Sequence, residues 1–181
     1  MRKIAVRNST VHGRGVFAAA PLPAGTRIIE YKGERIDWDE ALRRHPHDPA
    51  QPNHTFYFSL DDGWVIDGGR QGNSARWINH ACAPNCTTEE IPDQDGTVHV
   101  WVLAARDIAA GEELFYDYRL EIDAPYTKKL KQEFGCRCGS PECRGTMLYL
   151  GEPKKEKKKA EKAKKPQKTG KSKQQDGKGK D

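Results

Sequence analysis

The stretch Ala75-Arg76-Trp77-Ile78-Asn79-His80-Ala81-Cys82-Ala83-Pro84-Asn85-Cys86 sets an asparagine beside a histidine and follows them with two cysteines and a proline. That combination is unusual in plain structural sequence, although alone it also fits a polar loop with a satisfied histidine. Downstream, Gly111-Glu112-Glu113-Leu114-Phe115-Tyr116-Asp117-Tyr118 reads as a glycine turn and then an aromatic strand. Tyrosines at i and i+2 share one face of such a strand, which core packing alone would explain. Upstream, His12-Gly13-Arg14-Gly15-Val16-Phe17 puts two glycines around one residue. This permits close backbone approach to a ligand, and taken by itself it is equally a turn between strands.

The fourth informative stretch is Cys136-Arg137-Cys138-Gly139-Ser140-Pro141-Glu142-Cys143, three cysteines in eight residues with glycine and proline between them. Zinc in a structural site takes four tetrahedral ligands, so one must come from elsewhere. The remaining cysteines are Cys82 and Cys86. Spacing does not choose between them, and either would tie the C-terminal segment to the Asn79-His80 loop. An odd cysteine count in a chain without a secretion signal favours metal ligands or free thiols over disulfides.

Around these stretches the chain is mostly short strands. IAV, GVFAA and RIIEY are apolar runs split by turn residues. Asp37 is a candidate N-cap for a helix over WDEALRR. HTFYFSL and WVIDG fit a hairpin across Asp61-Asp62-Gly63. A short helix is expected over 73–79, a strand in VHVWVLAARDI, a last strand in ELFYDY and a helix over 126–134. The class is mainly β with few short helices. No strand–helix–strand repeat or glycine-rich dinucleotide turn occurs, which excludes a doubly wound parallel sheet.

Composition divides the chain further. Residues 153–181 hold 13 lysines against 4 acidic residues, about +9, whereas the whole protein is +5, leaving about −4 for residues 1–152. The basic balance belongs to the tail and the body is acidic. The tail's only apolar side chains are Ala160 and Ala163, too little to offset the entropy of ordering, so disorder is expected there. No run approaches about 18 apolar residues, so no membrane span is expected. MRKIAVRNST lacks a signal-peptide core, which points to an intracellular protein.

In this order, the four stretches resemble the signature of SET-domain protein-lysine methyltransferases with a post-SET zinc segment, over about Lys3 to Met147. The resemblance implies several small sheets, a threaded C-terminal segment and a zinc-bound post-SET segment. It divides the chain into a catalytic domain (1–120), a post-SET segment (121–151) and the lysine-rich tail (152–181). It implies S-adenosylmethionine as methyl donor and a structural zinc ion. His12, Gly13, Arg14 and Gly15 resemble the first cofactor-binding turn, and Asn79 and His80 the pair that holds the adenosine. Phe56 stands where relatives place an aromatic near the cofactor, and Arg137 joins this cofactor-binding set. Tyr118 matches the tyrosine central to catalysis, Tyr31 one lining the lysine channel, and Tyr116 one that influences how many methyl groups are added. The resemblance also selects Cys82 as fourth zinc ligand beside Cys136, Cys138 and Cys143. Ala81 and Trp77 depart from the family pattern, where Ser and Phe are frequent, without removing a group the reaction needs. Neither a cysteine-rich segment before the body nor helper domains for substrate choice are expected.

The implied substrate is a protein with an exposed lysine, histone or histone-like, and the implied form a monomer. The compartment would be cytoplasm or nucleoid in a bacterium and the nucleus in a eukaryote. A non-catalytic module for basic tails or nucleic acid is the alternative. A purely structural nucleic-acid protein would leave the Asn79-His80 and Tyr118 stretches without a task. The tail fits a localising extension, an arm for DNA or RNA phosphates, or a methylation substrate of its own domain.

Overall fold

The computed structural model describes residues 3–45 and 54–151. The lysine-rich tail, and with it the expectation of disorder, lies outside the described residues, as do residues 46–53. The described residues up to Tyr149 group into one compact unit.

The described residues make ten strands, none longer than seven residues, and two short helices. Strands β1 (Ile4–Asn8) and β2 (Arg14–Ala18) form an antiparallel hairpin. In its turn Gly13 adopts φ 48°, a backbone conformation that side chains other than glycine's resist. Strand β3 (Arg27–Tyr31) pairs with β9 (Val98–Ala104), which pairs on its other side with β8 (Cys86–Pro92). Alternation in β9 puts Val100, Val102 and Ala104 in the core. A third sheet runs in the order β4 (Glu34–Ile36), β6 (Val65–Asp67), β5 (Tyr57–Ser59). Finally β7 (Asn79–His80) pairs in parallel with β10 (Phe115–Tyr116), two residues each.

Helix α1 (Trp38–Arg44) begins where expected: the Asp37 carboxylate accepts the Glu40 N–H at 2.7 Å. Arg44 in its last turn reaches Glu34 and Asp67, both at 2.9 Å, and Asp67 is fully buried. The ion pairs fix the helix on the β4–β6–β5 sheet. Helix α2 (Lys128–Glu133), capped by Thr127, leads into the cysteine-rich segment. That segment returns to the body through isolated bridges Gly135–Thr146 and Leu120–Leu148, with Leu148 fully buried.

The mainly β class and most elements agree with the sequence. The helix expected over 73–79 is a 3-10 turn, Ser74–Trp77, capped by Asn73, and Asn79 is already strand. The strand expected over ELFYDY stops at Tyr116, because its partner β7 offers only two residues. Strands β4 and β8 were not anticipated.

Candidate active site and thiol cluster

The short β7–β10 pair sets Asn79 against Phe115 and His80 against Tyr116. Just beyond it the Tyr118 N–H donates to His80 Nδ1 at 3.1 Å, and the Tyr118 hydroxyl donates to the Ile78 carbonyl at 2.8 Å. The Tyr116 and Tyr118 rings lie 4.9 Å apart, Tyr116 and Phe58 6.2 Å, and Phe58 and Tyr31 5.4 Å. The Tyr31 hydroxyl donates to the Phe56 carbonyl at 2.8 Å. The three tyrosines singled out from the sequence thus meet in one aromatic set, completed by Phe58, which the sequence did not single out. Burial pushes all three phenols well above their ordinary pKa, so their hydroxyls stay protonated.

Beside this set lies the His12–Gly15 turn. The Asn79 amide donates to the His12 carbonyl at 3.2 Å, the Arg14 carbonyl at 2.9 Å and Glu113 Oε1 at 3.0 Å. Glu113 Oε2 accepts from the Ser9 hydroxyl at 3.0 Å. The group that approaches Gly15 closely is therefore Glu113: a Cβ on Gly15 would lie 2.8 Å from Glu113 Cδ and closer still to Oε1. Glu113 clamps the turn, yet nothing local in its sequence marks it. Asn85, buried in the loop after His80, is a second unanticipated brace. Its amide donates to the Glu113 carbonyl at 2.7 Å and its oxygen accepts the Phe115 N–H at 2.8 Å.

Aromatic and cationic groups gather near the turn. The His12 and His54 rings lie 5.4 Å apart, His54 and Phe56 5.0 Å, and Phe56 meets Trp77 edge-on at 5.0 Å. The Arg14 and Arg76 guanidinium groups stand 5.4 and 4.8 Å from the Trp77 ring centre. Arg76 Nε is buried without a hydrogen-bond partner among the described residues. Arg137 is exposed between Cys136 and Cys138, with no hydrogen bond or ring contact tying it to this turn among the described residues.

The thiols of Cys82, Cys136, Cys138 and Cys143 all lie within 4.8 Å of one another. The Cys82 and Cys136 sulfurs are 3.7 Å apart, against about 3.8 Å for the edge of a tetrahedron built on zinc–sulfur bonds of about 2.3 Å. Backbone N–H groups of Arg144, Cys138 and Gly145 point at the sulfurs of Cys82, Cys136 and Cys143 at 3.3, 3.4 and 3.4 Å, an arrangement that favours thiolates. The set fits a closed, structural zinc site. Cys86, which spacing alone left as an alternative, is a core residue of β8 whose thiol burial pushes up to about 12.

Two links run from this cluster to the tyrosines. Arg144 grips Asp117 with both terminal nitrogens, at 2.6 and 2.8 Å. His80 Nε2 lies 3.4 Å from the Cys82 sulfur. Because His80 Nδ1 accepts from Tyr118, its proton is assigned to Nε2, facing the sulfur. Burial lowers its pKa to about 4, keeping the ring neutral.

A profile of the SET domain matches residues 13–119. Similar proteins include the histone-lysine N-methyltransferase trithorax of Drosophila virilis, 36% identical over 78% of this chain and 4% of the relative. The H3 lysine-4 specific histone-lysine N-methyltransferase of Candida albicans is 36% identical over 80% of this chain and 14% of its own length. The histone-lysine N-methyltransferase ATX2 of Arabidopsis thaliana is 38% identical over 81% and 13%. The chain thus spans at most 14% of the length of these relatives. With the aromatic set, the Asn79-His80 pair and the braced glycine turn all inside the matched span or at its edge, the chain belongs to the SET-domain family.

Proposed function

We propose that this chain is an S-adenosylmethionine-dependent protein-lysine N-methyltransferase acting on a lysine of a basic protein, histone or histone-like. The observation that carries this reading is the meeting of Tyr31, Phe58, Tyr116 and Tyr118 beside the Asn79–His12 turn. Relatives named as histone-lysine N-methyltransferases support it, as does the acidic body of about −4, suited to a basic substrate. The compartment follows the substrate, chromatin for a histone.

The residues present fit the methyl donor. An amphiphilic nucleoside with an amino-acid end suits the Phe56 and Trp77 rings, the Arg14 and Arg76 cations, the open backbone around Gly13, and a buried Arg76 Nε that still needs an acceptor. When bound, S-adenosylmethionine supplies an electrophilic methyl carbon on a sulfonium. His12, Gly13, Arg14, Gly15, Phe56, Asn79 and His80 would hold it.

The acceptor must be a neutral amine, and free lysine has a pKa of about 10.4. Aromatic walls desolvate the ammonium and favour its deprotonation. The Tyr118 hydroxyl proton is engaged by the Ile78 carbonyl, which leaves its oxygen to accept an N–H from the lysine and aim the amine lone pair. Such alignment supplies roughly 7–11 kcal/mol. No carboxylate base is assigned. The Tyr116 hydroxyl, in the same aromatic set, would restrict space around the amine, favouring mono- or dimethylation. Zinc on Cys82, Cys136, Cys138 and Cys143 would leave no open position and so act structurally.

The test is transfer of labelled methyl from S-adenosylmethionine to histones, basic bacterial proteins or the chain itself, with Tyr118→Phe as control. Label on lysine that falls at least about 100-fold in the variant is expected. Equal label from both proteins would remove Tyr118 from its role. Binding of basic peptides without label on any acceptor would leave a binding module.

A further inference from the structure

Asp117 stands between the two tyrosines of β10 and its extension, and its carboxylate is turned to a different task. Both oxygens accept from the Arg144 fork at 2.6 and 2.8 Å, and Oδ1 also accepts the Arg119 N–H at 3.1 Å. Arg144 directly follows Cys143, and its own N–H donates to the Cys82 sulfur at 3.3 Å. One residue therefore touches the thiol cluster with its backbone and the tyrosine segment with its side chain. The pair is half-buried, with 26% and 23% of the two side chains exposed. Arg144 Nε is buried and has no acceptor of its own among the described residues, and its two terminal nitrogens both go to Asp117.

The backbone next to Tyr118 needs such a hold. Arg119 sits at φ 47° without being glycine, a left-handed conformation that side chains other than glycine's resist. Asp117 supports it through the Arg119 N–H, and the Tyr149 ring lies 4.4 Å from the Arg119 guanidinium carbon. His80 makes a parallel link, with Tyr118 N–H on one ring nitrogen and Cys82 on the other.

We propose that Asp117 and Arg144 are positioning residues, a carboxylate–guanidinium latch through which the closed cysteine cluster sets the Tyr118 segment for the reaction. The proposal rests on the lysine methyltransferase reading for its catalytic half only. An energetic coupling between two sites is reciprocal. What the cluster does for Tyr118, the Asp117 side must do for the cluster, although Asp117 contacts no sulfur.

The variants are Asp117→Asn, Arg144→Lys and the double change, made in the zinc-loaded full chain. Zinc transfer to a chromogenic chelator, cofactor affinity by calorimetry and single-turnover methyl transfer are measured on each. The latch predicts zinc release about tenfold faster in both single variants, from weakening a charge-assisted pair. It predicts a single-turnover rate down about 10–100-fold, as expected of a displaced reactive group, with cofactor affinity within about twofold. The double variant should be no worse than the more affected single one, since both remove one interaction. Unchanged zinc release in Asp117→Asn, or additive effects in the double variant, would overturn the latch. If the unaltered chain methylates no lysine, the functional reading falls, while zinc release still decides the coupling.

Discussion

Replacing Gly15 by alanine should loosen the His12–Gly15 turn through a clash with one side chain, and removing that side chain should relieve it. The φ of Gly15 is not in the left-handed region, so alanine meets no backbone strain there. The obstacle is Glu113, whose Cδ would lie 2.8 Å from the new Cβ, with Ser9 Cβ at 3.0 Å behind it. To make room, Glu113 must give up its bonds from Asn79 and Ser9, each 3.0 Å long. Hydrogen bonds to a charged group contribute about 1.5–3 kcal/mol each, and partial exposure argues for the lower end, so Gly15→Ala should cost about 3 kcal/mol. Glu113→Ala loses the same two bonds and should cost about as much. The double variant should cost little more than Glu113→Ala, giving a coupling energy of about 2–3 kcal/mol. Urea unfolding of the four proteins measures it, and calorimetric titration with S-adenosylmethionine reports whether the turn is still competent. Additivity within about 0.5 kcal/mol would refute the argument that Glu113 is what keeps position 15 a glycine.

Cys82→Ser should abolish stoichiometric zinc by metal analysis, whereas Cys86→Ala should keep about one zinc per chain and lose only about 1–2 kcal/mol of stability from a small core cavity. Tyr116→Phe should shift the product towards trimethyl-lysine by mass spectrometry; an unaltered chain that already yields mainly trimethyl-lysine would sink the assigned role. Because burial holds Tyr31, Tyr116 and Tyr118 protonated well beyond their ordinary range, kcat/KM should rise with pH as the substrate lysine deprotonates, with no falling limb near the ordinary tyrosine pKa of about 10. A bell-shaped profile whose falling limb lies at or below about pH 10 would contradict this.

The strands and caps that local chemistry dictates were legible. Asp37 sits as a cap, β9 alternates, and the β5–β6 hairpin turns at Asp61-Asp62-Gly63. Strand β8 was not, because Thr87, Thr88, Glu89 and Glu90 carry no apolar alternation and become strand only by pairing with β9. Strand β4 is three residues long, too short to show a period. In the site, tyrosines and cysteines announce themselves by type and spacing. Glu113, Asn85, Phe58 and the Asp117–Arg144 pair do not. An acid, an amide or a phenylalanine is common everywhere, and each acquires meaning only from a partner far away in sequence. The glycine pattern at 13–15 was legible as a place of close approach, but which group approaches Gly15 was written at position 113.

The two-residue parallel pairing of β7 with β10 also governs when the site can come into being. Asn79 and Phe115 cannot meet until β8 and β9, which lie between them in the chain, have folded back. Tyr118 then waits for Leu120 to find Leu148, and Arg144 for Asp117. Contacts so distant along the chain form slowly, after the local hairpins. A nascent chain emerging from the ribosome would therefore carry its β1–β2 and β5–β6 hairpins long before the tyrosine site is assembled. Refolding from denaturant should likewise recover β-sheet circular dichroism ahead of activity, the last step being the docking of the cysteine-rich segment.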